Sequence, residues 1–214
     1  MIHNNKNLRY PLEINKISGG QIFWTSKRTF DIIISILLLP LTIIIYVFLL
    51  FLNKHFNPGP VFFIQERMGK DCVCFKAIKF RTMHASKEIK RGHNDPVEEN
   101  RVTPLGSILR KSRIDEIPQI FNVLKGEMSL IGPRPDYYKH AIIFLQEIDG
   151  YQFRHAVRPG ISGLSQIRLG YAVGIKATRS KTVVDKYYIK NASFLLELKI
   201  LFGTIMTLIR RTGM

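Results

Sequence analysis

The sequence predicts an α/β protein held at a membrane: a small cytosolic domain with one β-hairpin and several amphipathic helices, anchored by an N-terminal helix that enters the bilayer as a re-entrant hairpin. Three observations carry this reading. The stretch "FDIIISILLLPLTIIIYVFLLFLN" has no charge from residue 32 to residue 52. Behind it, two β-branched and aromatic runs flank a turn at Gly69, Lys70 and Asp71. Beyond those, apolar residues at helical spacing are punctuated by Gly and Pro. The expected segments are a basic N-terminal segment (1–26), the membrane-inserted helix (27–56) and the cytosolic domain (57–214).

The apolar stretch would cover roughly 30 Å as a straight helix, about one bilayer core. It begins too late and runs too long for a signal peptide, and no small-residue cleavage site follows it. A buried core helix of this length would carry a polar stripe. Lys27 and Arg28 precede the stretch and Lys54 and His55 follow it, so the positive-inside rule pulls both ends to the cytoplasmic side. Pro40, near its middle, removes a backbone donor and crowds the preceding turn, which bends a helix. Both features favour a re-entrant hairpin. A plain single span stays open, because spanning helices carry Pro kinks too.

The remaining elements follow in order. "GPVFFIQERMGKDCVCFKAIKFRTM" reads as the β-hairpin, and residues 84 to 100 as a polar loop. Thr103 is a good N-cap and Pro104 a good first residue for the helix in "TPLGSILRKS", whose apolar face is Leu105, Ile108 and Leu109. "DEIPQIFNVLKG" is a second helix closed by Gly126. "IGPRP" is a rigid extended turn, residues 137 to 149 are another helix, and "VRPGISGLSQ" is a Gly-rich loop. Phe194 to Ile209 form a mostly apolar helix, read equally well as an amphipathic surface helix or a core helix. Cys72 and Cys74, spaced C-V-C on a strand, match no zinc pattern and read as reduced strand residues of a cytosolic protein.

The formal net charge is +16. Partners should be anionic: phosphorylated substrates, a membrane surface or nucleic acid. No zinc-finger spacing or RNP motif is present, so nucleic acid is not expected. The carboxylate pair Asp115-Glu116 stands out against this charge. Pro118 is tolerated only in a first helical turn, which makes Asp115 the N-cap and Glu116 the first helical residue. A helix cap alone would explain both. The cations around them argue for more. Lys79 and Arg81 alternate in "AIKFRTM" and point from one side of a strand. Arg134 is clamped between two prolines in "GPRP", and Arg158 opens an "RPG" turn. Fixed cations, two carboxylates and a helix start suit a diphosphate with a divalent cation.

Five segments in this order, "GPVFFIQERMGKD", "KFRTM", "TPLGSILRKSRIDEIPQIFNVLKGEMSLIGPRP", "RPGISGLSQ" and "DKYYIKNASFLLELKIL", resemble the bacterial sugar transferase family, the monotopic phosphoglycosyl transferases acting on polyprenyl phosphate. The resemblance covers residues 27 to 209 and is to the small form, a bare catalytic domain. It implies an α/β fold with a re-entrant helix at the cytosolic face of the bacterial inner membrane. It also implies transfer of a sugar 1-phosphate from a UDP-sugar to undecaprenyl phosphate, with UMP released and membrane lipids as partners. Asp115 would be the nucleophile, forming a covalent phosphosugar intermediate, with Mg²⁺ held at Asp115 and Glu116. Lys79, Arg81, Arg134 and Arg158 would meet substrate phosphates. Asp185 of "DKYY" and Arg67, beside Gln65 and Glu66 of "QER", are further candidates. One departure stands out: Leu39 precedes Pro40 where the small members have Ser. A membrane-bound hydrolase of the nucleotide sugar, or a basic tethered binder, are the competing readings.

Overall fold

The computed structural model describes residues 17–84, 92–95, 98–170 and 174–209. The chain is mixed α/β. Helix α1 (Gly20–Phe56) is followed by strands β1 (Phe62–Met68) and β2 (Cys74–Phe80), then helices α2 (Pro104–Lys111) and α3 (Ile120–Leu124). Strand β3 (Ser129–Ile131), helix α4 (Tyr138–Glu147), strand β4 (Gly160–Ser162) and helices α5 (Leu164–Leu169), α6 (Gly174–Lys190) and α7 (Phe194–Ile209) complete it. The β-hairpin is antiparallel as expected, with Phe63 opposite Lys79 and Gln65 opposite Ala77. Its turn takes Asp71 and Cys72 through positive φ, so Cys72 lies in the turn and only Cys74 on a strand. Thr103 caps α2 by accepting from the Gly106 backbone N–H at 3.0 Å, and Pro104 is the first helical residue. Of the expected apolar face, Leu109 is buried but Ile108 is exposed.

The stretch expected to be a Gly-rich loop is strand β4, parallel to β3, and the start of α5. The glycines serve backbone proximity. A Cβ on Gly160 would lie 2.1 Å from the Gly132 nitrogen, and one on Gly163 would lie 2.2 Å from the Gly132 oxygen. Two strands this close leave room for no side chain.

Helix α1 has 37 residues and starts at Gly20, seven positions before the expected boundary. It has the polarity of a soluble helix reversed. Its buried positions are Phe23, Lys27, Asp31, Ser35, Thr42, Leu49 and Asn53, spaced by four or seven and mostly polar. The exposed positions include Ile36, Leu37, Ile43, Ile44, Phe48 and Phe51, and only 17% of the most apolar stretch is buried against the protein. Each large apolar side chain left in water forgoes roughly 1.5–3 kcal/mol. An apolar exterior with a polar inner stripe excludes the buried core helix and fits contact with lipid. Pro40 lies inside the helix, and the Thr42 hydroxyl donates to the Leu38 carbonyl at 2.8 Å, which bends helices. Ser35 is fully buried, and its hydroxyl has no partner among the described residues.

Both halves of α1 pack on the same domain. In the first half Lys27 donates to Glu197 at 2.6 Å, and Asp31 accepts from Ser129 Oγ at 2.7 Å and the Leu130 N–H at 3.1 Å. In the second half Leu49 is buried with Val61, Phe80 and Leu109, and Tyr46 stacks on Phe62 at 5.1 Å. The C-terminal end is fastened by Arg81. Its guanidinium donates to the carbonyls of Pro60 (2.7 Å), Met83 (3.0 Å) and Asn57 (2.5 Å), and to Asn57 Oδ1 (3.0 Å). This corrects the expectation that Arg81 binds a substrate phosphate. β2 ends at Phe80, so the alternation with Lys79 does not extend to it. Helix α7 presents Phe194, Leu198, Phe202 and Ile205 outward and buries Ile200, which decides for the surface reading.

Arg81→Lys should lower stability by about 2–4 kcal/mol, because an ammonium cannot reach several buried carbonyls spread around a guanidinium. Thermal unfolding in detergent measures this; a midpoint within a degree of wild type would contradict the fastening role.

Candidate active site

The dyad lies in a tight turn. After α2 the chain passes through Arg113 in the left-handed region (φ 53°) and enters a 3-10 helix from Ile114 to Gln119, ahead of α3. Asp115 makes no capping bond, which corrects its assignment as the N-cap of one long helix. The cause is local. α2 ends at Lys111, four residues before Asp115, so the chain must reverse at Arg113 at once. A left-handed non-glycine residue is strained and persists where its surroundings hold it. Asn122, fully buried, staples α3 to the hairpin: its amide donates to the Lys76 carbonyl and Glu127 Oε2, both at 2.7 Å, and its oxygen accepts from the Ile78 N–H at 3.0 Å. That brings β2, with Lys79, against the dyad.

The two carboxylates are unequal. Glu116 accepts from Lys79 Nζ at 2.5 Å and from both ends of the Arg134 fork, with Arg134 Nη1 to Oε2 at 3.1 Å. Arg113 stands 3.6 Å from the same carboxylate. Burial would raise the Glu116 carboxyl, but Arg134 and Lys79 overcome it and hold it well below its usual range. Asp115 forms no ion pair among the described residues. Burial pushes its carboxyl up to about 6; Lys79, Arg134 and Arg110 pull against that and Glu116 adds to it. One buried carboxylate is thus fixed as an anion, and its neighbour is poised near neutrality with its lone pairs uncommitted.

The Arg134 turn is braced from two sides. Arg67 donates to the Pro135 carbonyl at 3.1 Å and to Gln65 Oε1 at 2.5 Å. Arg154, 2% exposed, donates to the Arg134 carbonyl at 2.9 Å while paired with Asp136 and, at 2.8 Å, with Asp185. Burial works against this charged cluster, yet Arg154, with Lys181 and the Tyr151 hydrogen bond, holds Asp136 ionised, and Asp136 and Asp185 keep Arg154 charged. Tyr151 adds a hydrogen bond to Asp136 at 2.8 Å.

Asp115, Glu116, Lys79 and Arg134 therefore meet, and Arg67 supports them. Asp185 is a buried residue of α6 that acts through Arg154, neither a surface charge nor a helix cap. Arg158 is elsewhere. It is exposed, donates to the Gly126 carbonyl at 2.9 Å and stands at the opposite end of α3 from the dyad, which corrects its placement among the phosphate ligands. Sequence reasoning missed Arg113, Arg110 and Arg154. Arg113 sits three residues before Glu116, a readable spacing. Arg110 hydrogen-bonds Thr82 and reaches Asp115 only by its field.

The expected Mg²⁺ site fits in part. No group of three or more candidate ligands occurs among the described residues. Glu116 is saturated by cations, so it is not available as a ligand in this arrangement; Asp115 is. Mg²⁺ is commonly held by one or two carboxylates together with substrate phosphates and water.

The raised carboxyl of Asp115 gives a stability test. A folded-state value above the unfolded one means that the stabilising neutral form contributes below about pH 4 and is lost as pH rises through about 6. The ionised group then opposes folding. Asp115→Asn should stabilise the protein by about 1–3 kcal/mol near pH 8, with the gain vanishing near pH 4. A gain independent of pH would show that the carboxyl is not raised.

The sequence family model described as bacterial sugar transferase matches residues 22–211. A relative from Aeromonas hydrophila, named UDP-N-acetylgalactosamine-undecaprenyl-phosphate N-acetylgalactosaminephosphotransferase, is 42% identical over 94% of this chain and 48% of its own length. The exopolysaccharide production protein PSS of Rhizobium leguminosarum bv. phaseoli is 37% identical over 86% of this chain and 96% of its own. UDP-glucose:undecaprenyl-phosphate glucose-1-phosphate transferase of Escherichia coli (strain K12) is 37% identical over 84% and 39%. The chain thus spans about half or less of the Aeromonas and Escherichia relatives and nearly all of the Rhizobium one. With a match across nearly the whole sequence and its dyad set among cations, this chain belongs to the bacterial sugar transferase family.

Proposed function

We propose that the chain transfers a sugar 1-phosphate from a UDP-sugar to undecaprenyl phosphate, releasing UMP, as the first membrane step of a surface-glycan pathway at the cytosolic face of the inner membrane. The observation that carries this is the inequality of the dyad: Glu116 is consumed by Lys79 and Arg134, while Asp115 beside them has no ion pair among the described residues. The printed names of the relatives from Aeromonas and Escherichia support the substrate classes.

In the first step an Asp115 oxygen bonds to the phosphorus next to the sugar. The bridging P–O bond breaks and UMP leaves with its electron pair. In the second step an oxygen of undecaprenyl phosphate bonds to the same phosphorus and Asp115 departs as carboxylate. Splitting the transfer in two lets soluble donor and lipid acceptor be used in turn. Each step needs charge stabilisation more than proton transfer. Glu116 sets the positions of Lys79 and Arg134, and their fields, with those of Arg113 and Arg110, act on the phosphates. Mg²⁺ belongs to this reading as an ion carried on the donor diphosphate, where it would offset phosphate charge with Asp115 as the available protein ligand.

The sugar is assigned by assay. Sugar selection belongs in this reading to residues 169–182, the part of the chain least like the family's motifs, of which 171–173 lie outside the described residues. UMP release from a UDP-sugar panel should require undecaprenyl phosphate and be lost in Asp115→Asn. With labelled donor and no acceptor, the Asp115 peptide should gain one sugar phosphate. UMP release without lipid would favour the hydrolase, and release by Asp115→Asn would remove Asp115 as nucleophile.

For the anchor, the re-entrant hairpin is favoured over a span, because Lys27 and Asp31 near one end and Leu49 near the other all pack on one domain. Cysteine introduced as Asn5→Cys, with Cys72 and Cys74 replaced by Ser, should react with an impermeant thiol reagent only in opened cells. Labelling in intact spheroplasts would mean a span.

A further inference from the structure

We infer that the face opposite the dyad carries a second phosphate site, built to hold the headgroup of an anionic membrane phospholipid. This inference rests on the membrane seating proposed above. An open cavity of about 330 Å³ lies between the start of α1 and the α3–β3 turn, lined by Gln21, Trp24, Thr25, Arg28, Thr29 and Arg158. A smaller recess continues inward from it toward Lys27, Asp31 and Ser129. One carboxylate, Asp31, borders the inner recess, and its field acts on Arg28. The Asp31 carboxylate is occupied by Ser129 and the Leu130 N–H, and neither arginine has an acidic partner within 4 Å among the described residues.

Both guanidiniums are held by backbone carbonyls at the end of α3. Arg28 donates to Leu124 at 3.3 Å and Met128 at 3.5 Å; Arg158 donates through Nε to Gly126 at 2.9 Å. These bonds fix two like charges side by side and leave most of their ten N–H donors for a ligand. An arrangement of this kind is unfavourable alone and becomes favourable around phosphate oxygens, which match the guanidinium fork. The position selects the source. α1 runs from this cavity directly into its uncharged stretch, residues 32–52, and Trp24, half-buried in the cavity lining, sits where aromatic residues are found, at the boundary of bilayer and water. A phosphate held by the two arginines beside that stretch would be one whose acyl chains lie against α1. Binding a phospholipid there would also join α1 to the α3–β3 turn without touching substrate.

Flotation of the full chain with vesicles tests this. Phosphatidylcholine vesicles with and without phosphatidylglycerol are compared, with excess inorganic phosphate as competitor. Wild type should prefer the anionic vesicles. Arg158→Gln, and Arg28→Gln, should reduce that preference about fivefold each, the factor equivalent to about 1 kcal/mol per basic group. Lys139→Gln should leave it unchanged, because Lys139 is an exposed cation on α4, which packs on β1 and α6. Arg158 holds one carbonyl at an exposed site, so its variant tests the site even if Arg28→Gln folds poorly. Equal losses in Lys139→Gln and Arg158→Gln would reduce the effect to general surface charge and overturn the site. Full competition by inorganic phosphate would assign a soluble phosphate instead. Unchanged preference in both arginine variants would remove the site while leaving the seating intact, whereas failure to float with any vesicle would count against the seating itself.

Discussion

One carboxylate organises the site. Glu116 gathers the ammonium of β2 and the guanidinium of the Gly-Pro-Arg-Pro turn onto a 3-10 turn that would otherwise have little reason to adopt its strained entry at Arg113. Buried charges of this kind are costly unless fully paired, and removing one partner commonly costs about 3–5 kcal/mol. Because Glu116 takes up the two nearest cations, Asp115 gets their field without their hydrogen bonds. The chemical difference between adjacent carboxylates follows from which of them the cations can reach.

The same cations are tied to the membrane helix by two routes. The first starts at Asp31, which fixes β3; β3 pairs with β4, and the Ile161 carbonyl of β4 accepts from Arg134 at 3.3 Å. The second starts at Asn57, just after α1, which Arg81 binds to the end of β2, two residues from Lys79. Arg154, with Asp136 and Asp185, closes the frame from behind by holding the Arg134 carbonyl.

Much of this was legible because it is local. The hairpin follows from two β-branched runs about a turn, and the start of α2 from Thr103 and Pro104. The dyad announced itself as two acids in a basic chain. What was missed depends on contacts distant in sequence. Arg81 looked like the partner of Lys79 because strand alternation was extended one residue too far; its donors are spent on carbonyls around Asn57. Arg158 looked like a phosphate ligand because it opens a Gly-rich turn, but the turn belongs to a parallel strand pair that carries it to the far end of α3. The Asp136–Arg154–Asp185 cluster joins three separate segments, and no spacing in one stretch could reveal it. The glycines of "RPGISGLSQ" signalled close backbone approach, which resembles loop chemistry until the neighbouring strand is seen.

The reversed polarity of α1 makes the anchor something other than an interchangeable part. A foreign hydrophobic helix of equal length would hold the domain at a bilayer, yet it would lack Lys27, Asp31 and Asn53 at the positions that face inward. β3 would lose its bracing carboxylate and Glu197 of α7 its ammonium partner. Cutting the helix away to obtain a soluble enzyme would therefore be surgery on the interior of the protein, and the sequence of its membrane segment is constrained as closely as that of any core strand.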